Sequence, residues 1–394
     1  MNFPRAQLKP LLARVATPDI VVLTGMRRTG KTTLLRMVFD TIPSANKVFL
    51  DLENPLDQMI FEERDYNNIW ANLRTYGVTP ARRPYVFLDE IQAYPPVVQA
   101  LKYLHDHYHA KFFVTGSSSF YLKNLFPESL AGRKTVFDLH PLDFREFIAF
   151  KRCNREWHDT FAAMNTGKGI VRHETVVKLY DEYVEHGGFP QVVLAGTDDE
   201  KRLQLRDIFK SYFEKEVRSL AGFRDISAFR DLLLLLLRRV GAKLDISKLA
   251  SEVGVARETV YSYLAFLEGT FFIHRVSPFS RSVEREVSGA RKIYLCDTGM
   301  VNCIARVDEG AIFENAVFLS IRRHGDVRYY ERRSGGEIDF VLPGKNTAIE
   351  VKRTADERDW RKLSSLATDL KLRHRFIVTR TFCHLGGTFP ATEL

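Results

Sequence analysis

The sequence predicts an α/β protein of several domains: a parallel sheet with crossover helices, a helical connector, a winged helix-turn-helix, and a second α/β domain. Three observations predict it. The runs at residues 20–23, 47–51, 85–89 and 112–116 are continuously apolar rather than alternating, as strands buried on both faces of a parallel sheet are. Residues 226–276 read as helix, short helix, a turn at Gly254, helix and strand, the spacing of a winged helix-turn-helix. At 394 residues, 45% hydrophobic and 27% charged, the chain exceeds what one hydrophobic core organises.

Taken in order, the first domain (1–142) opens with Ile20-Val21-Val22-Leu23, continues into Gly25-Met26-Arg27-Arg28-Thr29-Gly30-Lys31-Thr32-Thr33, and enters a helix carrying Leu34 and Phe39. Strand, glycine loop and helix N-terminus form a phosphate cradle: Gly25 and Gly30 permit a tight turn, and successive backbone N–H groups point at phosphate oxygens. Lys31 is then placed for the β- and γ-phosphates of ATP, and the Thr32 hydroxyl for Mg²⁺. The strand at 85–88 ends in Asp89, suited to hold the magnesium, and Glu90, suited to orient and deprotonate an attacking water. The strand at 112–115 leads to Ser117 and Ser118, of which Ser117 is the chosen hydroxyl for the γ-phosphate or the water. Arg133, in Leu130-Ala131-Gly132-Arg133, is the candidate guanidinium for transition-state charge. Acting on a neighbouring copy it requires a homo-oligomer; acting within its own chain it does not.

Residues 143–225 read as helical, interrupted at Gly187-Gly188-Phe189-Pro190, and form a lid or connector. In the winged-helix segment (226–285), Arg257, Glu258, Thr259, Ser262 and Tyr263 are the polar positions of the third helix, against an apolar stripe of Val260, Leu264 and Leu267. DNA contact through Arg257 and Thr259, and docking to another protein, both fit that helix.

The last domain (286–394) carries strands at 292–295, 327–330, 337–341 and 348–352, with a helix near 312–322. Glu350 and Lys352 stand one residue apart on a strand and so project from one face. Asp339 lies on the preceding strand, and the turn Pro343-Gly344-Lys345-Asn346 makes a hairpin that brings it near Glu350. Two carboxylates and a lysine around Mg²⁺ or Mn²⁺ suit phosphodiester hydrolysis, and Glu314 on the helix can complete the metal set. Helix, strand, Asp339 strand, Glu-x-Lys strand is also the element order of the PD-(D/E)xK, restriction-endonuclease-like fold. The competing reading is a solvated hairpin of alternating charge.

Net charge is +9, with +6 on residues 1–155, −3 on 156–225 and +6 on 226–394, so both ends favour a polyanionic partner such as DNA. Cys153, Cys296, Cys303 and Cys383 form no C-x-x-C pair and suggest neither a zinc site nor a disulfide framework. They fit a reducing, cytoplasmic setting. Residues 1–5 have no apolar signal core, and the apolar run at 232–237 is too short to span a bilayer, so no membrane partner is expected.

With these residues in place, the chain resembles, nearly end to end, a widespread prokaryotic ATPase family that joins an AAA+-like P-loop domain to a C-terminal domain of unknown function. The carriers are Leu23 to Thr33, Phe87-Leu88-Asp89-Glu90-Ile91-Gln92, Thr115-Gly116-Ser117-Ser118, Ser129-Leu130-Ala131-Gly132-Arg133 and Gly187-Gly188-Phe189-Pro190. Further carriers are Tyr294-Leu295-Cys296-Asp297-Thr298-Gly299, Phe313-Glu314-Asn315, Gly336-Glu337-Ile338-Asp339-Phe340-Val341 and Ile349-Glu350-Val351-Lys352. The resemblance implies ATP binding and hydrolysis linked to a winged helix and a nuclease-like module. The sequence leaves two functions open: an ATP-driven DNA-acting enzyme that cuts at Asp339, Glu350 and Lys352, and a regulatory switch ATPase whose C-terminal modules bind without cutting.

Overall fold

The computed structural model describes every residue except 1, 2, 4, 118–131, 219–222, 224, 281, 283, 285, 287, 288, 306, 333 and 334; the Ser118 reading falls outside the described residues. The chain divides into two compact units, residues 1–140 with 269–271, and residues 141–268 with 272–394. The three segments expected after residue 142 therefore fall together in the second unit.

The first unit is a five-stranded parallel sheet, β1 (Ile20–Thr24), β2 (Lys47–Asp51), β3 (Tyr85–Asp89), β4 (Lys111–Gly116) and β5 (Lys134–Asp138), in the order β2-β3-β4-β1-β5. β1 and β4 are buried at every position, which is why their sequences carry no polar alternation. β5 is an edge strand of half-exposed residues and left no apolar run to read. Helix α1 (Lys31–Thr41) follows the glycine loop and packs Leu34, Leu35 and Val38 against Val21, Leu23, Phe87 and Phe113. The strand order has one consequence for function. β4 lies between the strand feeding the glycine loop and the strand ending in Asp89, so whatever ends β4 stands between the two.

The second unit opens with helices, among them α2 (Val177–His186), and a C-terminal sheet closes it. Gly187, Gly188 and Gly299 have structural roles here. Asp297 caps α6 (Thr298–Ile304) by accepting from Met300 N–H at 2.9 Å, and its other oxygen accepts from Gly188 N–H at 2.6 Å. A Cβ on Gly187, at φ +76, would stand 2.0 Å from Asp297 Oδ1, and one on Gly299 would stand 2.0 Å from the His186 carbonyl. The two glycine motifs lock α2 to α6.

Between these lie α3 (Ile226–Leu237), α4 (Ile246–Val253) and α5 (Arg257–Gly269), then the antiparallel pair β6 (Ile273–Val276) and β7 (Lys292–Leu295). Gly254, at φ +73, makes the turn between α4 and α5. Lys243 bridges to Lys292, and Gly241 N–H donates to Ile293 O at 2.8 Å, so the α3–α4 connection pairs with β7. The polar reading of Tyr263 is corrected: it is buried, its hydroxyl donating to Asp225 O at 2.9 Å, while Tyr261 is 55% exposed.

The C-terminal sheet runs β12-β11-β10-β9-β8, from β8 (Arg328–Glu331), β9 (Glu337–Leu342), β10 (Thr347–Lys352), β11 (His374–Thr379) and β12 (Thr388–Pro390). β8, β9 and β10 are antiparallel neighbours, whereas β11 joins β10 in parallel through α8 (Glu357–Asp369), whose Leu363, Leu366 and Ala367 pack on Ile338, Val341, Ala348 and Ile377. With α7 (Glu309–Ile321) ahead of β8, the order is α-β-β-β-α-β. Among the described residues no helix is long and apolar enough to cross a membrane.

Candidate functional sites

In the first unit, Gly25 has φ +150 and a Cβ there would lie 2.1 Å from the Leu139 carbonyl oxygen, so only glycine lets the loop pass this close to the chain leaving β5. Gly30, at φ +93, caps α1. Between them Thr29 is buried, its hydroxyl donating to Met26 O at 2.9 Å, and Arg28 stands exposed at φ +65. Lys31 is buried and its Nζ donates to the carbonyls of Gly25 (3.0 Å) and Met26 (3.1 Å), folded over the loop it serves. Arg27 pairs with Glu53 at 3.1 Å, and Thr33 is exposed on the helix. Arg5, which no motif in the sequence singles out, donates to the carbonyls of Thr29 and His140, each at 2.8 Å, and so pins the loop from 24 residues upstream.

Asp89 is buried and hydrogen bonded by the hydroxyls of Thr115 and Thr32. Burial lifts its carboxyl above the ordinary range against those two bonds, and the charges of Glu90 and Asp51 add to the rise. Thr115, at the end of β4, also accepts from Glu90 N–H at 2.9 Å. One hydroxyl thus ties both acidic residues to the intervening strand. Glu90 sits at φ +53 and ψ +52, a conformation that a residue without special reason avoids, and its carboxylate accepts from the Gln92 amide. The Gln92 side-chain Oε1 accepts in turn from Ser117 N–H at 3.3 Å. Ser117 Oγ is buried with no hydrogen-bond partner among the described residues. The arrangement fits a nucleotide with its magnesium: a cradle that a Cβ would fill, a threonine hydroxyl directed at a carboxylate, and an unsatisfied hydroxyl beside them.

Arg133 is corrected as an in-chain partner of that site. Its carbonyl accepts from Ile20 N–H at 2.7 Å, at the start of β1, and its guanidinium pairs with Asp106 at 3.3 Å. The glycine loop leaves the opposite end of β1, five residues away, at about 3.3 Å of rise per residue.

In the second unit, the register Ile349↔Phe340 sets Asp339 beside Glu350, and Asp339 Oδ2 accepts from Val351 N–H at 2.7 Å. Lys352 Nζ pairs with Glu350 at 2.8 Å on the same face. Glu314, from α7, accepts from the Tyr294 hydroxyl at 2.5 Å and lies 3.4 Å from Lys292 Nζ, which itself pairs with Glu337 at 2.5 Å. Lys292 and Tyr294 both come from β7, and the sequence reading missed them because their partners lie 20 or more residues away. Asn315 needs no ligand to explain it: it exchanges hydrogen bonds with the main chain of Leu295 at 2.7 and 3.2 Å and fixes α7 to β7.

Burial lifts Glu314 to about 7, with Asp339 adding to the rise and Lys292 opposing it. Burial and Asp339 lift Glu350 to about 7 against Lys352. Asp339 is itself raised by burial. Three acids competing for protons, with Glu350 Oε2 buried and unpartnered among the described residues, make a place that favours added positive charge. The ligand set expected from sequence is corrected in one respect. Among the described residues, no three or more His, Cys, Asp or Glu side chains are placed to hold a metal ion; Glu314 pairs instead with Lys292, and Glu350 with Lys352. Asp339, Glu314 and Lys352 line a cavity of about 870 Å³.

Residues 17–148 match the family described as AAA domain. Residues 177–311 and 309–382 match two families described as domains of unknown function (DUF8612 and DUF4143). An uncharacterized protein of Methanocaldococcus jannaschii is 27% identical over 90% of this chain and 80% of its own length. Uncharacterized proteins of Haemophilus influenzae (26%, 88% and 84%) and Mycobacterium tuberculosis (24%, 95% and 78%) are similar over comparable spans. Among solved structures, AMPPCP-bound DnaA from Aquifex aeolicus aligns with 66% of this chain and 85% of its own, at 15% identity and a TM-score of 0.29, too loose to bear on function. The AAA match and the parallel sheet behind the glycine loop support an AAA-type P-loop ATPase domain in the first unit.

Proposed function

We propose that the protein hydrolyses ATP at Gly25 to Thr33 and that turnover controls a DNA-acting second unit, in which a winged helix (226–285, closed by β7) engages DNA and a metal-dependent site at Asp339, Glu350 and Lys352 cuts it. The observation that carries the reading is the single hydroxyl of Thr115 holding Asp89 and Glu90 on the strand beside the glycine loop. Lys31 leaves the loop carbonyls for phosphate oxygens, Thr32 and Asp89 hold magnesium, and Ser117 offers its hydroxyl to the γ-phosphate or the water. Magnesium, when bound, supplies neutralisation of phosphoryl charge. Glu90 accepts a proton from water as the water oxygen bonds to the γ-phosphorus and the bond to the β–γ bridging oxygen breaks. Arg133 serves a neighbouring copy in a homo-oligomer.

At the second site, Asp339 and Glu350 are the two carboxylates that would hold Mg²⁺ or Mn²⁺, which would supply neutralisation of phosphoryl charge, and Lys352 would position a water. The water gives a proton to solvent as its oxygen bonds to phosphorus, one ester P–O bond breaks, and the leaving oxygen takes a proton from solvent. A second reading, a switch ATPase whose C-terminal modules bind without cutting, draws on the pairing of Lys292 with Glu314 and of Lys352 with Glu350.

Purified protein is assayed for ATP hydrolysis with and without DNA, and for DNA cleavage with Mg²⁺ or Mn²⁺. Glu90→Gln is expected to keep nucleotide binding and lose roughly 10²–10⁴-fold in turnover. Asp339→Ala is expected to abolish cleavage and spare ATP hydrolysis. Cleavage that survives Asp339→Ala refutes the nuclease site, full turnover in Glu90→Gln refutes Glu90 as the base, and no turnover in wild type refutes the ATPase assignment.

A further inference from the structure

We infer that the acidic cleft of the second unit takes DNA one strand at a time, as a single-stranded end or an unpaired segment, and not as a continuous duplex. The inference rests on the proposed phosphodiester-cleaving role of Asp339, Glu350 and Lys352 and names the substrate class of that site.

The acids do not lie on an open face. One side of the 870 Å³ cavity is the end of the C-terminal sheet, with Asp339 and Lys352 of the β9–β10 pair, Arg353 just after β10, and Arg380 and Thr381 after β11. The other side is α2, through Val177, Asp181, Val184 and Glu185, and the connection from α6 into α7, through Val307, Asp308 and Glu309. Its volume lies within the range of small-molecule pockets, about 300–1,000 Å³, which is room for a nucleotide and its neighbour but not for a helix whose major groove alone is about 12 Å wide.

The chemistry of the lining is divided in the same sense. Cations cluster on the sheet side. Lys352 stands beside the carboxylates, Arg353 is exposed, and Arg380 has a fixed guanidinium: its carbon lies 5.0 Å from the centre of the Tyr180 ring and 5.6 Å from that of Phe313, with Nη2 paired to Asp181 and Nη1 unpartnered among the described residues. The stacked guanidinium is held in place, and its buried, unpartnered Nη1 is a donor that a phosphate drawn into the cavity would satisfy. The α2 side adds Glu185 and Glu309, which repel a second phosphate backbone carrying, in a duplex, one charge per about 1.7 Å of helix axis. Val177, Val184, Ile312 and Phe313 provide apolar surface between the charges, where an unpaired base can lie and a paired one cannot.

The test uses the full chain and three labelled DNAs of one sequence: a single strand, a blunt duplex, and a duplex with an unpaired internal segment. Cleavage is followed with Mg²⁺ and with Mn²⁺, and binding of each DNA by fluorescence anisotropy. The single strand and the unpaired segment are expected to be cut at least tenfold faster than the blunt duplex; equal or faster cutting of the blunt duplex overturns the inference. Arg380→Ala and, on an exposed side chain that folding does not need, Arg353→Ala are expected to weaken single-strand binding several-fold and leave duplex binding unchanged. If wild type cuts none of the three, the nuclease reading fails while strand selection is still decided by these two variants. Losses shared equally by both DNAs, or by neither, refute it.

Discussion

Replacing Thr115 with valine keeps shape and β-propensity and removes one oxygen. In the folded protein that oxygen accepts from Glu90 N–H and donates to the Asp89 carboxylate, both within a buried seam. An orphaned buried N–H costs about 1–3 kcal/mol, and a hydrogen bond to a buried charge is worth about 1.5–3 kcal/mol, so Thr115→Val is expected to lose about 3–5 kcal/mol from the first unit. The chemistry should suffer separately. The Thr115 bond is the stronger of the two that hold the Asp89 carboxyl down, so losing it raises that carboxyl further and puts protons in competition with Mg²⁺. Steady-state ATP hydrolysis measured against Mg²⁺ at pH 6, 7 and 8 should show a higher Mg²⁺ requirement in Thr115→Val, most marked at pH 6, while Thr115→Ser stays near wild type. A valine variant with wild-type Mg²⁺ dependence at every pH and an unchanged melting point refutes the role given to this hydroxyl.

Gly187→Ala places a Cβ against Asp297 at φ +76 and ψ −165, a region essentially reserved for glycine, and about 1–3 kcal/mol for that conformation plus the displaced cap predicts a loss near 3 kcal/mol by urea unfolding. An unshifted midpoint would show that the two glycine motifs do not interlock. Glu393 is fully buried and pairs with Arg155 at 2.5 Å and Arg172 at 3.1 Å, so Glu393→Ala leaves the buried Arg155 guanidinium without its carboxylate and should cost about 3–5 kcal/mol, with Glu393→Gln milder. Burial raises Asp297 from 3.8 to about 6 against hydrogen bonds from Gly188, Met300 and Gly299. The folded state therefore holds this proton more tightly than the unfolded chain. Its contribution is present in full below pH 4 and is lost as pH rises through 6, roughly 3 kcal/mol in all. Wild type minus Asp297→Asn should show that slope between pH 4 and 6; parallel curves would count against it.

Local pattern carried much of this fold. Strands β1, β3 and β4 were legible because burial on both faces leaves only apolar residues, and the loop between Gly25 and Thr32 because its steric demand falls on fixed positions. What escaped depended on pairing across the chain. Thr115 is β-branched and read as strand filler, and only the insertion of β4 between β1 and β3 sets its hydroxyl against Asp89 and Glu90. Arg133 sat in a persuasive sequence context, yet the direction of β1 and β5 carries it to the far end of the sheet. Tyr263 was sorted as polar by its hydroxyl, although it shares with Val260, Leu264 and Leu267 the spacing that faces the core. Of the acidic site, Asp339, Glu350 and Lys352 were readable from strand alternation and one turn, whereas Lys292 and Tyr294 arrive from a strand that belongs to another hairpin.

That strand limits how the molecule can be taken apart. β7 pairs with β6, bonds the α3–α4 connection through Lys243 and Gly241, and extends Lys292 and Tyr294 to Glu314. A gene fragment that begins at residue 286 keeps β7 but deprives it of its partner strand; one that stops at residue 285 leaves β6 with an open edge. Neither half can be grafted onto another protein or expressed as a cassette without carrying this shared strand, and evolution, shuffling the same pieces, faces the same seam.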